Sequence, residues 1–251
     1  MIKNHADSVK TRMNNFLVGS KACLFGTLLW LSVSFPSVVA AADSCSIDPG
    51  LREFVRQTYN DRITFDVVRK GKVVGRHTNE FSDTGQGLAV RSNMQLTVTV
   101  LFIPVFDFTY DSRAVWCDQG LVQLSSRVDR NGDATTVDAR FDGNQTIITG
   151  GGGNVMHSGQ LIPTNHWNPS VLQRDAVLNT ITGQVNRVDI VPCAAQTAAS
   201  LDLSLPAEAE CYQYTGDLAA TVWYLDRRWI GLAFKGDDGS DIVYRCRECG
   251  K

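Results

Sequence analysis

The chain has 251 residues, of which 43% are hydrophobic, 20% charged and 9% aromatic. This is the composition of a globular protein, and it excludes disordered, collagen-like and low-complexity classes. The 24 Lys and Arg against 26 Asp and Glu give a formal net charge of −2, whereas a protein that coats nucleic acid is normally basic, so we expect no nucleic-acid partner.

The first 42 residues have the pattern of a secretory signal peptide. Four basic residues precede an apolar run at 22–35, and small residues follow at 39–42. We expect cleavage after Ala40 or Ala42, which leaves a single β-rich domain, 43–251, that is periplasmic or secreted and has no transmembrane helix. One alternative is a membrane anchor, although the run of about 14 residues is shorter than the roughly 20 that span a bilayer. The other is a lipoprotein modified at Cys45, although Asp43 fits a lipobox poorly.

The cysteine count predicts disulfides, because an even number in an exported chain normally means pairing. We expect Cys193 to pair with Cys211 on a neighbouring strand, and Cys45 to pair with the C-terminal pair. The Cys-x-x-Cys spacing at the C-terminus also occurs in redox sites, but no predicted helix follows to lower the pKa of a thiol. Zinc would need a second ligand motif, so no metal is predicted. The six candidates are Cys45, Cys117, Cys193, Cys211, Cys246 and Cys249.

From Ile63 onward the hydrophobic pattern repeats every two residues, which indicates β-strands. Residues 51–59 before it are compatible with one or two helical turns. Apolar residues at even positions from Leu88 to Trp116 predict two long strands with one buried face. Because Pro104 has no backbone donor, we expect the strands to break or turn there, which leaves an apolar tip at 100–106.

The apolar tip is the first candidate site. It would contact a membrane or line the mouth of a lipid cavity. The alternative is a bend that packs back on the core. The residues concerned are Leu101, Phe102, Ile103 and Phe106.

The rest of the chain continues the alternation, with one interruption. The insertion 154–184 is predicted to hold one short helix, capped by Asn168 with Pro169 at its first position. The fold class is therefore all-β, a long antiparallel meander that forms a barrel or half-barrel. Further strands are expected at 121–129, 134–141, 145–149, 185–191, 199–205, 208–214, 218–224, 229–235 and 241–245.

Several segments of the chain resemble a known family. They include the strand region with Arg127 and Phe141-Asp142, the loop His166-Trp167-Asn168, and Tyr214-Thr215-Gly216-Asp217-Leu218. The stretch 63–249 is similar to DUF6134, a family of exported bacterial proteins of unknown function, and more distantly to DUF3108. The resemblance implies a periplasmic β-domain and supplies no activity and no catalytic residues.

The loop His166-Trp167-Asn168 is the second candidate site and a predicted ligand-binding site. It combines an imidazole, a ring that can stack on a sugar, and an amide on irregular backbone. The alternative is a structural plug at one end of the barrel. No catalytic residue and no cofactor is predicted, since His157-Ser158-Gly159 lacks the context of a nucleophile elbow.

The leading hypothesis is a non-enzymatic exported protein that binds or carries a lipid or an envelope glycan. One alternative is an enzyme that acts on envelope lipid or glycan through His166, which requires a neighbouring carboxylate. Another is a structural or interaction protein that offers a sheet edge. A carrier requires an apolar cavity of a few hundred Å³.

Overall fold

Fifteen β-strands form one sheet within the residues that the computed structural model describes, which are 49–85, 87–117, 120–151, 153–201 and 203–250. All of them belong to one compact unit. The predicted signal peptide and Cys45 lie outside the described residues. The strands are β1 (Arg62–Arg69), β2 (Lys72–Asp83), β3 (Leu88–Val100), β4 (Ile103–Cys117), β5 (Gly120–Arg130), β6 (Asp133–Phe141), β7 (Gln145–Gly150), β8 (Gly153–Ser158), β9 (Ile162–Pro163), β10 (Ala176–Leu178), β11 (Val185–Cys193), β12 (Glu210–Gly216), β13 (Ala220–Leu225), β14 (Arg228–Lys235) and β15 (Asp241–Glu248).

The sheet consists of two meanders, joined where the first strand, β1, pairs with the last strand, β15. Strands β1 to β8 follow one another on one side, strands β15 to β9 on the other, and β1 pairs with β15. All the ladders are antiparallel except that of β9 with β10. This arrangement confirms the predicted all-β antiparallel meander.

The chain itself forces the sheet to roll up. Strands β8 and β9 lie at opposite ends of the strand order, yet only residues 159–161 connect them. That link spans at most about 14 Å, so the two ends of the sheet must come close together. The link is fixed by hydrogen bonds from the Gln160 side chain to the Leu121 carbonyl and from the Leu161 N–H to the Thr146 hydroxyl, both 3.1 Å. The result is a barrel-like sheet.

The described helices are short and are not part of the sheet. The helix α1 (Pro49–Thr58) is ten residues long, more than the one or two turns expected. The 3₁₀ helix η1 (Pro169–Gln173) is the predicted short helix of the insertion. A second 3₁₀ helix, η2 (Ala195–Leu201), occupies part of the strand expected at 199–205, so that prediction was wrong.

The reason for the missing strand is the outer face of β12 to β15. There Trp223, Ile230 and Val243 point away from the barrel interior, and Ala198 and Leu203 of the η2 region pack on them. Residues that cover a sheet face cannot also pair at its edge. Strands β13 and β14 are therefore buried on both faces, as their continuous apolar runs indicate.

Two disulfides join described cysteines. Cys193 and Cys211 are bonded, and they are direct partners in the ladder of β11 with β12. Cys246 and Cys249 are bonded to each other, so the expected pairing of Cys45 with them was wrong. Their Cα atoms are 5.8 Å apart, within the range that a disulfide bridges. Cys117 is also disulfide-bonded.

The barrel interior is filled by side chains and by the insertion between β9 and β11. Small polar residues occupy one cross-strand row of β2 to β5, namely Asn79, Ser92, Ser112 and Ser126. They leave room for Thr180, whose carbonyl accepts a 2.6 Å hydrogen bond from Ser126 and whose hydroxyl accepts one of 2.9 Å from Tyr110. The insertion is thus a plug.

The ladder of β1 with β2 contains a bulge next to Gly75. The register of β1 with β2 shifts there, because Val67 pairs with Gly75 and the next residue pairs with Val73. A Cβ atom at Gly75 would lie 2.0 Å from the Gln95 carbonyl oxygen, so only glycine permits this approach of β2 to β3.

We expect Gly75→Ala to lower the free energy of unfolding by about 2 kcal/mol or more, because a backbone atom must move to admit the methyl group. Gly151→Ala is the matched control, since its nearest neighbour would be the Thr135 methyl group at 3.8 Å. The control should change stability by less than about 0.5 kcal/mol. Urea unfolding measures both, and equal effects of the two substitutions would refute the account of the bulge.

Candidate functional site

The predicted loop His166-Trp167-Asn168 lies between β9 and η1, at the barrel end that faces α1. Two buried tyrosines fix its backbone. The Tyr59 hydroxyl donates to the Trp167 carbonyl and the Tyr224 hydroxyl donates to the His166 carbonyl, each at 2.9 Å. Burial raises the pKa of both hydroxyls, so they remain protonated donors.

The side chain of Trp167 is a plug residue. It is 0% exposed, and its ring lies edge-on to Phe81 at 5.2 Å and to Trp116 at 5.0 Å between ring centroids. Neither face of the ring is open to stack on a sugar in this conformation.

Asn168 caps η1, as the sequence predicted. Its Oδ1 accepts hydrogen bonds from the Ser170 backbone N–H at 3.1 Å and from the Ser170 hydroxyl at 2.7 Å. The structure therefore brings the three predicted residues together, but of the three only Asn168 lines a described groove at the surface. Direct ligand contact by His166 and Trp167 stays a prediction.

His166 has a second histidine near it, His77 of β2, which is partly buried but whose two ring nitrogens are inaccessible to solvent. The His166 ring lies 5.4 Å and the His77 ring 5.9 Å from the ring of Trp229. The Nδ1 atom of His166 is 3.5 Å from the Tyr214 hydroxyl, whereas neither nitrogen of His77 has a hydrogen-bond partner among the described residues. His77 also packs edge-on against Tyr244.

Burial keeps both imidazoles neutral. Desolvation lowers the pKa of His77 to about 4. The pKa of His166 falls to about 3, first through desolvation and then through repulsion from a charged His77. His77 was not among the predicted site residues, although it alternates in phase with the buried Asn79 and Phe81 of β2.

The enzymatic alternative finds no geometric support at His166. No carboxylate of the described residues hydrogen-bonds to it, and a neutral, buried imidazole is a poor proton carrier near pH 7. Nor do the described ranges contain three or more His, Cys, Asp or Glu side chains grouped to hold a metal ion.

Two open grooves flank η1 at the surface. The first, which we call the α1 groove, has a volume of about 420 Å³. The second, the η1 groove, has a volume of about 450 Å³ and shares Ser170 and Arg227 with the first. The α1 groove is lined by residues that include Leu51, Phe54, Asn168 and Arg174, and the η1 groove by residues that include Leu172, Gln173, Glu210 and Tyr212.

Arg227 stands where the two grooves meet. It lies in the tight turn between β13 and β14, where Asp226 and Arg227 have φ angles of 50° and 65°. Its guanidinium carbon lies 5.1 Å above the ring of Phe54, which holds the cation over the α1 groove. Neither Arg174 nor Arg227 forms an ion pair with a described carboxylate.

A third groove, of about 440 Å³, lies on the outer face of β1, β2, β3 and β15. Its arginines are matched by carboxylates. Arg62 pairs with Glu80 at 3.0 Å, Arg91 with Asp111 at 2.9 Å, and Asp66 serves both Arg76 and Arg247. This groove consequently offers little free positive charge to a ligand.

The predicted apolar tip lies at the opposite end of the barrel. The chain turns inside the predicted tip, at Leu101 and Phe102, which is two residues before the position expected. Pro104 itself lies in β4, next to a shift in the register of the ladder with β3. Pro104 pairs with Thr99 on one side and has no β5 partner on the other, so its missing donor is tolerated. Leu101 is 85% and Phe102 is 98% exposed, Ile103 is also exposed, and Phe106 stacks on Phe108 at 6.5 Å.

Comparison with known proteins gives a family and a fold. The family described as "Domain of unknown function (DUF6134)" matches residues 65–247. The crystal structure of a β-barrel-like protein of domain of unknown function DUF1849 from Brucella abortus is similar, with a TM-score of 0.51 at 11% identity over 74% of this chain and 95% of that chain. The chain has no match among proteins of curated function.

Folding stability should depend on pH through His77 and His166. In the unfolded chain an imidazole takes up a proton below about pH 6.5, whereas His77 and His166 stay neutral in the fold until pH 4 and 3 are approached. The contribution of the two neutral histidines to the free energy of unfolding is therefore fully present above pH 6.5. Below pH 6.5 it decreases by about 1.4 kcal/mol per pH unit for each histidine.

His77→Phe tests this dependence. The variant loses one of the two proton differences, so the slope of unfolding free energy against pH between 4.5 and 6 should roughly halve. It also removes two unpartnered nitrogens from a cluster of rings, so we expect equal or greater stability at pH 7. Urea unfolding across this pH range measures the slope, and an unchanged slope would refute the assignment.

Proposed function

The chain belongs to the DUF6134 family, and from that premise we propose that it is an exported, non-enzymatic binding protein that holds an anionic envelope lipid headgroup or an acidic envelope glycan. The observation that carries this proposal is the pair of adjoining grooves that share Arg227 and Ser170 beside a filled barrel.

The filled interior determines where a ligand would bind. Trp116, Trp167 and Trp229 occupy the interior together with the plug, so the proposal places the ligand in the surface grooves rather than inside the barrel. A binding role is thereby favoured over a role as an internal carrier of acyl chains.

The chemistry of the grooves fits an anionic group attached to a sugar or to a glycerol backbone. A guanidinium binds phosphate or carboxylate with two parallel hydrogen bonds, and Arg174 and Arg227 carry no competing described ion pair. Ser170 and Gln173 add polar side chains, while Leu51 and Phe54 offer an apolar wall for the face of a sugar ring or for the first methylene groups.

Export to the periplasm is supported by two independent features. Disulfides such as Cys193–Cys211 persist in oxidising compartments and are rare in the cytosol. The basic and apolar pattern of residues 1–42 is that of a signal peptide. No described helix is long and apolar enough to cross a membrane.

Arg227→Gln should weaken ligand binding by about tenfold to 100-fold, the effect of losing one charge-assisted hydrogen bond. The probes are dihexanoyl phosphatidylglycerol, a short-chain anionic lipid, and a disaccharide that contains N-acetylmuramic acid. Calorimetric titration of each probe distinguishes a lipid from a glycan source.

The matched control for this test is Arg113→Gln, which removes an exposed arginine of β4 from the outer face of the sheet. It should leave the affinity unchanged. If neither probe binds the parent protein below millimolar concentration, or if the two substitutions weaken binding equally, the proposed site is wrong.

A second candidate function is pairing through the sheet edge. Strand β8 ends the strand order, five of its six residues are exposed, and Met156 is 71% exposed. An uncovered edge presents unpaired N–H and C=O groups to another strand. The partner we consider is β8 of a second copy, which would pair antiparallel across a two-fold axis.

Met156→Lys tests this edge, because a charge on an edge strand opposes pairing. Sedimentation equilibrium should show a dimer for the parent protein and for the Met156→Leu control, and a monomer for Met156→Lys. A monomeric parent protein at about 100 μM would exclude this function, since useful homodimers form well below millimolar Kd.

A further inference from the structure

The hairpin of β3 and β4 projects beyond its neighbours as a free arm. The ladder of β2 with β3 ends at the pair Gly75 and Leu96, and the ladder of β4 with β5 ends at the pair Phe108 and Arg130. Residues 97–106, which we call the arm, therefore have ladder partners only in one another and in Asp107. Asp107 lies at the base of the arm, where its N–H donates to the Asn131 side chain at 2.8 Å and its carbonyl accepts from the Asn131 N–H at 2.9 Å. Four residue pairs at about 3.4 Å per residue give an arm roughly 13 Å long.

The arm differs in composition from the rest of the barrel surface. Residues 97–106 carry no charge, and eight of the ten are apolar. Val100 and Ile103 are 53% and 65% exposed on one face, and Val105 is 55% exposed at a bulge in the ladder. Thr97 and Thr99 are the two polar residues among the ten.

The turn at the end of the arm has a conformation that its residues disfavour. Leu101 and Phe102 have φ angles of 49° and 68°. The turn between β5 and β6 has positive φ at both central residues as well, and there the sequence is Asn131-Gly132, the pair that this turn type prefers. Bulky apolar residues in this region are strained, and such strain concentrates at functional positions.

We propose that the arm inserts its tip into the surface layer of a lipid bilayer, with Leu101 and Phe102 at the level of the acyl chains. Lipid would surround an inserted arm on all sides. The arm suits this environment because neither of its faces carries a charge and because its most exposed apolar residues lie at its end. This inference is independent of the ligand proposed for the grooves, which lie at the other end of the barrel.

The backbone limits the depth of insertion. The outer edges of a two-stranded arm carry N–H and C=O groups without strand partners, and such groups are costly in hydrocarbon. Only the tip enters the acyl region, and Thr97 and Thr99 remain at headgroup level. Because the arm has no charge, binding should not require anionic lipid.

A second copy of the chain is the competing occupant. Five exposed apolar side chains are few beside the roughly 20 to 30 residues that each partner of a stable complex contributes. The small number of side chains thus favours a bilayer over an arm-to-arm dimer, and the tests below distinguish the two.

The first test introduces a fluorescent side chain at the tip with Phe102→Trp. The described tryptophans Trp116, Trp167, Trp223 and Trp229 are all buried, so the spectral difference between variant and parent reports the tip. With phosphatidylcholine vesicles we expect a blue shift and quenching by lipids brominated near the glycerol end of the acyl chain. Emission that stays unchanged on adding vesicles would overturn the proposal.

The second test replaces the tip by the best residues for its own turn, Leu101→Asn with Phe102→Gly. This double variant should fold at least as stably as the parent, because Asn-Gly favours the turn. We expect vesicle partitioning through the arm to weaken by about 100-fold or more, from the loss of two large apolar side chains. Phe102→Ser is the back-up variant should the double variant fail to fold, with the same expectation in smaller degree.

Val191→Asn is the matched control, because it removes an exposed apolar side chain from β11, which no proposed site includes. Its vesicle partitioning should equal that of the parent. Equal partitioning of parent and double variant would overturn the proposal, and so would a parent dimer that the double variant abolishes while partitioning stays unchanged.

Discussion

One buried hydroxyl group holds three parts of the structure together. Tyr59, just beyond the end of α1, donates its hydroxyl proton to the Trp167 carbonyl of the plug and accepts a 3.0 Å hydrogen bond from the Trp229 N–H of β14. That N–H is available because the ladder of β13 with β14 shifts register beside it. The helix end, the plug and the sheet are therefore joined through one oxygen atom, the Tyr59 hydroxyl. The position of the plug in turn determines how much of the barrel interior is filled.

The plug fills the barrel, and the two surface features proposed to bind a ligand and a bilayer lie at its two ends. At the α1 end, the grooves around η1 combine two arginines free of described ion pairs with apolar walls. At the other end, the release of β3 and β4 from their neighbours produces an uncharged arm. The bulge at Gly75 lies at the last pair of the ladder of β2 with β3, Gly75 with Leu96, beyond which β3 continues into the arm.

The sequence predicted the candidate loop better than it predicted the role of that loop. The run from Pro163 to Pro169 indicated irregular backbone with Asn168 as a cap, and both are confirmed. Alternation along a strand shows which residues lie on the same face of the sheet. An irregular loop has no such period, so the residues around Trp167 did not show that its side chain turns inward. His77 could have been found from the phase of β2, whereas its approach to His166 across 89 positions of sequence could not.

The sequence by itself determined the all-β class, the short capped helix and the apolar tip, because each depends on neighbouring residues or a period of two. Only the tertiary structure decided that β1 pairs with β15, that Cys246 bonds to Cys249, and that residues 199–205 cover a sheet face instead of forming a strand. These outcomes depend on which surfaces come together when the sheet rolls up, and packing of that kind leaves no periodic signal in the chain.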